Sequence, residues 1–317
     1  MSAAATAIAT SPRDSVENWP LLDRVGYYAA WTAGVALIVV AATIVIYLAI
    51  KGAQYFDLGM FTESPTADID QSKSGGFKDP LLGTILLTVM ATAIAAPIGV
   101  AIAVWLTEYG RPAWLARAVE SGIEVVAGTP SIVLAIFGLL VFQQQALGFL
   151  SFEAEGNAVF GRSFIAAATM MSLIALPLVV GGTREALHAI PGHVREASYA
   201  LGKTKAATIR RVLLPAARPG IGTGTALGMG RVAGDTAIVI VLLGATLQIQ
   251  RGSDGLFGLF RGTGSTMTSY VFFNSPAGEG NAPEKAYLAA FVLLIVVMIL
   301  NFAITRIARG RQVSWSR

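Results

Sequence analysis

Five stretches of this chain, residues 26–50, 81–107, 125–150, 163–183 and 286–305, contain no Asp, Glu, Lys or Arg. A helix rises 1.5 Å per residue, so about 20 such residues cross the hydrocarbon core of a bilayer, and every stretch is long enough. A sixth, residues 221–248, qualifies apart from Arg231 and Asp235. Only 13% of the residues are charged, against about 25% in a soluble domain. Lipid offers no hydrogen-bond partner to a bare backbone, so spans of this length fold as helices. The pattern predicts an all-α integral membrane protein with six transmembrane helices, surrounded by membrane lipid.

The first apolar stretch exceeds the core of a signal peptide and precedes no evident cleavage site, so it is expected to remain as a helix. Orientation follows from basic residues between the spans. With the amino terminus inside, the inner segments 1–25, 108–124, 184–220 and 306–317 hold fifteen Lys and Arg, and the outer ones hold seven. Both termini are therefore expected in the cytoplasm. The same loops account for the basic balance without a nucleic-acid partner. The chain has no cysteine, which excludes disulfide and thiol chemistry. His188 and His193 lie in one polar loop without the further ligands a metal site needs, so no metal is expected.

Three features interrupt the spans. Pro97 and Gly99 predict a bend in the second, read as ordinary helix packing. Gly128-Thr129-Pro130-Ser131 predicts a break in the third, where Thr129 and Ser131 either pack or line a pathway. Gly220, Gly224 and Gly228 fall four apart on one helical face and admit another helix, either from this chain or from a second subunit. The segment 249–283, rich in Gly, Ser and aromatics (Phe257, Phe260, Tyr270, Phe272, Phe273), is read as a half-inserted or surface-lying hairpin, or as a plain connection.

The polar island 184–219 carries the strongest functional signal. Gly202-Lys203-Thr204 mimics the end of a phosphate-binding loop, but Ala197 stands where that pattern needs its first glycine, and no strand precedes it. No nucleotide site, catalytic residue or cofactor is therefore expected in this chain. Pro191-Gly192 should end the incoming helix, 193–201 should form a short helix, Gly202 a turn, and 204–213 a second helix stopped by Pro215 and Pro219. Val194, Ala197 and Leu201 are expected on one face of the first helix. Ile209, Val212 and Leu213 would form the apolar side of the second, with Arg210 and Arg211 turned away. Such exposed apolar faces suit a groove on another protein, or alternatively the membrane surface.

Arg231 and Asp235 stand inside a span, where a charge costs at least about 2.5–3.5 kcal/mol and is normally paired, cavity-lining or functional. Four residues apart, they are expected to meet on one helix face. Either they form a neutral structural pair, or Arg231 offers forked donors to a tetrahedral oxyanion while Asp235 orients or releases it.

Glu196-Ala197, Gly202 and Leu214-Pro215 resemble the "EAA" loop of ABC importer permeases, with Ser198 in place of the final alanine and Val212 in place of a usual isoleucine. Arg231-Val232-Ala233-Gly234-Asp235-Thr236 resembles the Arg-Ala-x-Gly-Glu-Thr segment of phosphate-specific ABC permeases, with Asp in place of Glu. Gly128-Thr129-Pro130-Ser131-Ile132-Val133, Glu185-Ala186-Leu187 and Ile190-Pro191 are similar to further stretches of that family. The likeness runs from about Leu81 to Arg306 and is nearer the PstA type than the PstC type.

The resemblance implies a type I ABC importer permease fold, with an amino-terminal tail at 1–25 and a first helix with its outer loop at 26–80. The transmembrane domain would occupy 81–306, with a coupling loop at 184–219, and a carboxyl tail 307–317. It implies inorganic phosphate as substrate and a PstC-like second permease. It also implies a homodimeric PstB-like ATPase, which would bind ATP and Mg, and an external PstS-like phosphate-binding protein. Arg195, Glu196, Ala197, Leu201, Gly202, Ile209 and Val212 would couple to the ATPase; Arg231, Asp235, Thr236, Thr129 and Ser131 would face the pathway. Rival readings are a permease for molybdate or sulfate, an ATP-independent channel or carrier, and a scaffold that senses phosphate.

Overall fold

The computed structural model describes residues 19–66, 75–151, 161–244, 246, 248–250, 255–276 and 282–308. The terminal tails and the remaining loop residues lie outside it. Among the described residues every regular element is helical: α1 (Leu21–Ala53), α2 (Gly59–Thr62), α3 (Lys78–Val104), α4 (Ala113–Gly128), α5 (Ser131–Phe142), α6 (Phe164–His188), α7 (Gly192–Ala200), α8 (Lys205–Thr208), α9 (Leu214–Ala233), α10 (Gly255–Arg261), α11 (Met267–Asn274) and α12 (Pro283–Ala308). The chain divides into two compact units, residues 1–50 and 51–317. The first is essentially α1, a helix apolar on all sides, as a lipid-facing span must be.

Four helices are long and apolar enough to cross a membrane: Leu21–Ala53, Lys78–Tyr109, Phe164–His188 and Pro283–Ala308. The predicted third span is instead the pair α4 and α5, which meet at 109° and together would make a fifth. The bend sits at Thr129-Pro130. Pro130 is the N-cap residue of α5, and its ring disfavours helical backbone at Thr129, which is extended. The predicted span 221–248 is not one helix either. The α9 helix ends at Ala233, and a separate helical stretch follows at residues 237–243, finishing as the π-helical turn Val239–Leu243.

In the second unit α6 is central, packed on α3 and α9, with α12 on the other side of α9. Small residues make this possible, since helices in lipid associate through close van der Waals contact. A methyl group added to Gly224 would lie 2.9 Å from the Leu178 carbonyl of α6, and one on Gly228 would lie 3.1 Å from that of Ala175. One on Gly220 would overlap the Ala186 side chain. The glycine face of α9 is thus consumed inside the chain. On another side of α9, Gly222 meets Ala308 and Gly230 meets Asn301, both of α12. Gly99 leaves room for Val179 of α6, in keeping with a packing role for that part of α3.

The core is correspondingly rich in alanine. Ala91, Ala95, Ala135, Ala167, Ala168 and Ala175 are buried there, between larger groups such as Phe164, Met171 and Leu242. Part of the 249–283 segment is folded into this unit. Residues 262–270, which include the start of α11, are buried throughout, so this stretch is neither a plain connection nor a surface hairpin. Its backbone bonds both to neighbouring elements and within the segment. The Phe164 N–H donates to Gly262 O, the Gly264 N–H to Leu243 O, and Thr266 and Ser269 form a reciprocal capping box.

Candidate coupling loop and pathway residues

The polar loop begins where α6 stops. Pro191 is the N-cap residue of α7, and Gly202 (φ 73°) makes the left-handed turn after it. Thr204 then caps α8, its hydroxyl accepting from the Ala207 N–H at 3.3 Å. The expected stop at Pro215 and Pro219 does not occur. Helical structure runs without a gap from Lys205 through the π-helical turn Ile209–Leu213 into α9. Within that turn the Leu214 N–H bonds to Ile209 O, five residues back. The wider turn spreads the backbone around Arg211, whose carbonyl would otherwise meet the Pro215 ring. The second coupling helix is therefore the first part of a continuous helical stretch that runs into the bundle.

The faces of the loop also differ from expectation. Val194 is buried, but with Ser198 rather than with Ala197 and Leu201. The Ser198 and Thr208 hydroxyls share a hydrogen bond of 2.9 Å that ties α7 to α8. Ala197 and Leu201 point away, together with Glu196, Tyr199 and Ala200, and Leu201 is 78% exposed. The split arises because 194 and 198 define one edge of the helix and 197 and 201 the next. Ile209 and Leu213 are buried with Leu187, Ile190 and Val194, so this apolar side anchors the loop, while Val212 is half-buried beside it. Arg210 and Arg211 are exposed, as expected.

Arg195 does not face outward. Its guanidinium donates from Nε and Nη2 to Oε1 of Glu108, both at 3.1 Å, and to the Leu187 and Ile190 carbonyls at 2.9 Å. Those carbonyls belong to the end of α6 and the residues after it, where a cation is favourable. Glu108 lies in the π-helical turn Trp105–Tyr109 that closes α3, and its side chain is 7% exposed. Lys205 adds a bond from its ammonium to the Glu108 carbonyl, and sits 4.7 Å over the Tyr109 ring. Sequence reasoning missed Glu108, Tyr109 and Lys205. Glu108 and Tyr109 at the end of an apolar run, and Lys205 within the polar loop, look like ordinary loop residues, and only the fold brings them to Arg195.

Arg231 and Asp235 do not meet. The helix ends between them, so the four-residue spacing no longer places them on one face. Asp235 is buried, and its Oδ1 accepts from the Ile238 N–H at 3.0 Å, capping the helical stretch that follows. Its carbonyl accepts from the Thr268 hydroxyl at the start of α11, at 3.2 Å. The carboxylate thus sits at the N-terminus of the 237–243 stretch, where a negative charge is favourable, while the backbone of the same residue is tied to α11. Thr84, Thr88 and Thr266 line the same crevice. Thr236, next to Asp235, is half-buried, and its carbonyl accepts from Ile240.

Arg231 is exposed and, among the described residues, makes no hydrogen bond or ion pair. It continues a stripe with Thr223 and Leu227, the exposed positions four residues apart on α9. Beside this stripe an open groove of about 390 Å³ runs along α6, past Leu178, Gly181 and Glu185. Thr129 and Ser131 are half-buried at the α4–α5 bend, where the Thr129 hydroxyl donates to Val125 O at 2.6 Å. Nothing in the structure joins them to Arg231. Among the described residues no cluster of His, Asp and Glu could hold a metal ion.

Fold and loop together define the class: a multi-pass helical membrane component that presents a polar two-helix loop and an unpaired arginine. The chain belongs to the family "Binding-protein-dependent transport system inner membrane component", whose pattern matches residues 95–312. It is 33% identical to "Phosphate transport system permease protein PstA 1" of Mycobacterium tuberculosis, over 77% of this chain and 74% of that one. It is 29% identical to "Phosphate transport system permease protein PstC 2" of Mycobacterium bovis, over 91% and 92%. Identity is thus higher to the PstA relative and coverage longer to the PstC relative.

Among solved structures, the fold matches the bacterial alginate ABC transporter (TM-score 0.63, 13% identity, 92% of this chain and 96% of that one). It also matches the inward-facing MetNI methionine ABC transporter (TM-score 0.56, 19% identity, 74% and 96%). The protein is therefore a permease component of an ABC importer, a transport protein rather than an enzyme. Its family implies an ATPase, a substrate-binding protein and a second permease as partners.

Proposed function

We propose that this chain is a permease subunit of an ATP-driven importer for inorganic phosphate and forms half of the translocation pathway. The observation that carries the proposal is Arg231, an exposed cation without a partner among the described residues, in line with the uncharged Thr223 and Leu227 on α9. Such a charge on a helix packed among membrane spans needs a compensating surrounding, and a passing oxyanion beside a second permease supplies one. The planar fork of donors suits a tetrahedral oxyanion. The names of the 29–33% identical relatives support phosphate as that anion.

In this reading the loop 184–219 and both termini face the cytoplasm, in accord with the distribution of Lys and Arg. ATP and Mg bind on a homodimeric PstB-like ATPase, whose surface receives the exposed Glu196, Ala197, Leu201 and Gly202. Closure of that ATPase pushes α7. The continuous rod from Lys205 to Ala233 carries the displacement toward Arg231, and the Asp235 cap holds the break beyond it. A PstS-like external protein delivers phosphate, and a PstC-like permease closes the other side of the path. Competition of phosphate uptake by molybdate and sulfate in proteoliposomes bearing the assembled complex tests the anion. Phosphate should win, and a preference for either rival would overturn that assignment.

A further inference from the structure

The clasp at the end of α3 has no counterpart in the roles assigned so far. The Glu108 side chain is 7% exposed and is engaged within the chain. Its carboxylate takes two N–H donors from Arg195 of α7, and its carbonyl takes the Lys205 ammonium of α8. Arg195 in turn holds the Leu187 and Ile190 carbonyls at the end of α6. One guanidinium therefore joins the docking loop to two membrane helices at once. The apolar contacts of Val194, Ile209 and Leu213 reach α6 and its immediate continuation through Leu187 and Ile190, and Val104 at the end of α3 packs against the same cluster. The charged clasp adds the directional, hydrogen-bonded link to α3. The sequence separation is 87 residues, so the contact is a product of tertiary structure and not of local helix geometry.

We infer that Glu108 is a positioning residue for energy coupling, the point through which movement of the docking loop is imposed on α3. A charge-assisted, doubly bonded pair that is partly buried resists separation better than an exposed one. With the pair intact, α7 and the end of α3 move as one body when the ATPase closes. With it broken, the loop still docks on its exposed face, but α3 lags behind and the pathway opens incompletely. This inference rests on the coupling role proposed above for the loop, and it does not depend on which anion is carried.

The test uses the complete complex in proteoliposomes, with Glu108→Gln, Glu108→Asp, and the double swap Glu108→Arg with Arg195→Glu. Substrate transported per ATP should fall about fivefold or more in Glu108→Gln, the lower end of a typical coupling free energy. Co-purification of the ATPase and its basal hydrolysis should stay at the parent level. The aspartate variant and the double swap should recover part of the ratio. Unchanged transport per ATP in Glu108→Gln, or loss of the ATPase from the complex, would overturn the inference. A second readout needs no anion: spin labels at the exposed Ala101 of α3 and His193 of α7 should keep one separation with and without ATP and vanadate in the parent. In Glu108→Gln that separation should change on trapping, and an identical response in both would contradict the clasp. If the parent complex transports no phosphate, the substrate assignment fails while the label distances still report on Glu108.

Discussion

A methyl group built on Gly182 would lie 2.7 Å from the Cα of Gly224, so α6 and α9 touch backbone to backbone at this point. No side chain larger than hydrogen fits on either without separating the helices. Leucine at Gly224 should therefore cost on the order of 1–3 kcal/mol by overpacking. The measurement is thermal unfolding of the purified complex in detergent, where the variant should melt several degrees lower. Leucine at the exposed Gly181, which has open space around its Cα, should leave the transition in place.

Asp235 should tolerate asparagine better than alanine. Both Asp and Asn cap a helix well, whereas alanine loses about 1 kcal/mol. Asp235→Asn should thus retain fold and uptake, and Asp235→Ala should lower thermal stability. Abolition of transport by the asparagine variant, with stability intact, would return the carboxylate charge to the pathway.

The exposed face of α7 should be where the ATPase is held. Leu201→Asp should weaken its co-purification by about 30-fold, the scale of a roughly 2 kcal/mol interface residue. Val194→Ala acts on the buried face, so it should destabilise the loop without removing a contact to the partner. Pull-down of the ATPase at graded concentrations separates the two outcomes.

The Arg184–Glu120 pair offers a contrast to Glu108–Arg195. It joins α6 to α4 at 2.8 Å, but both side chains are more than a third exposed. Exposed pairs contribute about 0–1 kcal/mol. Glu120→Gln should change neither melting temperature nor transport per ATP appreciably, as measured beside Glu108→Gln in the same assays.

Much of this architecture could be read from the chain, because lipid imposes simple rules. Charge-free runs marked the long helices, Thr129-Pro130 marked the α4–α5 bend, and Gly202 marked the turn in the loop. Other features depend on tertiary partners. Glycines at 220, 224 and 228 announced a close approach but not its object, which proved to be α6. The break at Gly234 was hidden because 221–248 is apolar enough for a span. Only the Asp235 cap and the bond from Thr268 reveal two half-helices meeting there. Pro215 looked like a terminator because the π-helical turn that accommodates it leaves no mark in the sequence. Glu108 was invisible for the same kind of reason, since its partner lies 87 residues away.

The central claim is that Arg231 meets the transported anion in an ATP-driven importer. It is tested most directly by uptake of radiolabelled phosphate into proteoliposomes carrying the assembled complex, with ATP present or absent at the face of the ATPase. The account predicts ATP-dependent uptake that Arg231→Ala abolishes while the complex stays assembled and hydrolyses ATP. Normal uptake by a stable Arg231→Ala complex, or uptake without ATP, would contradict it.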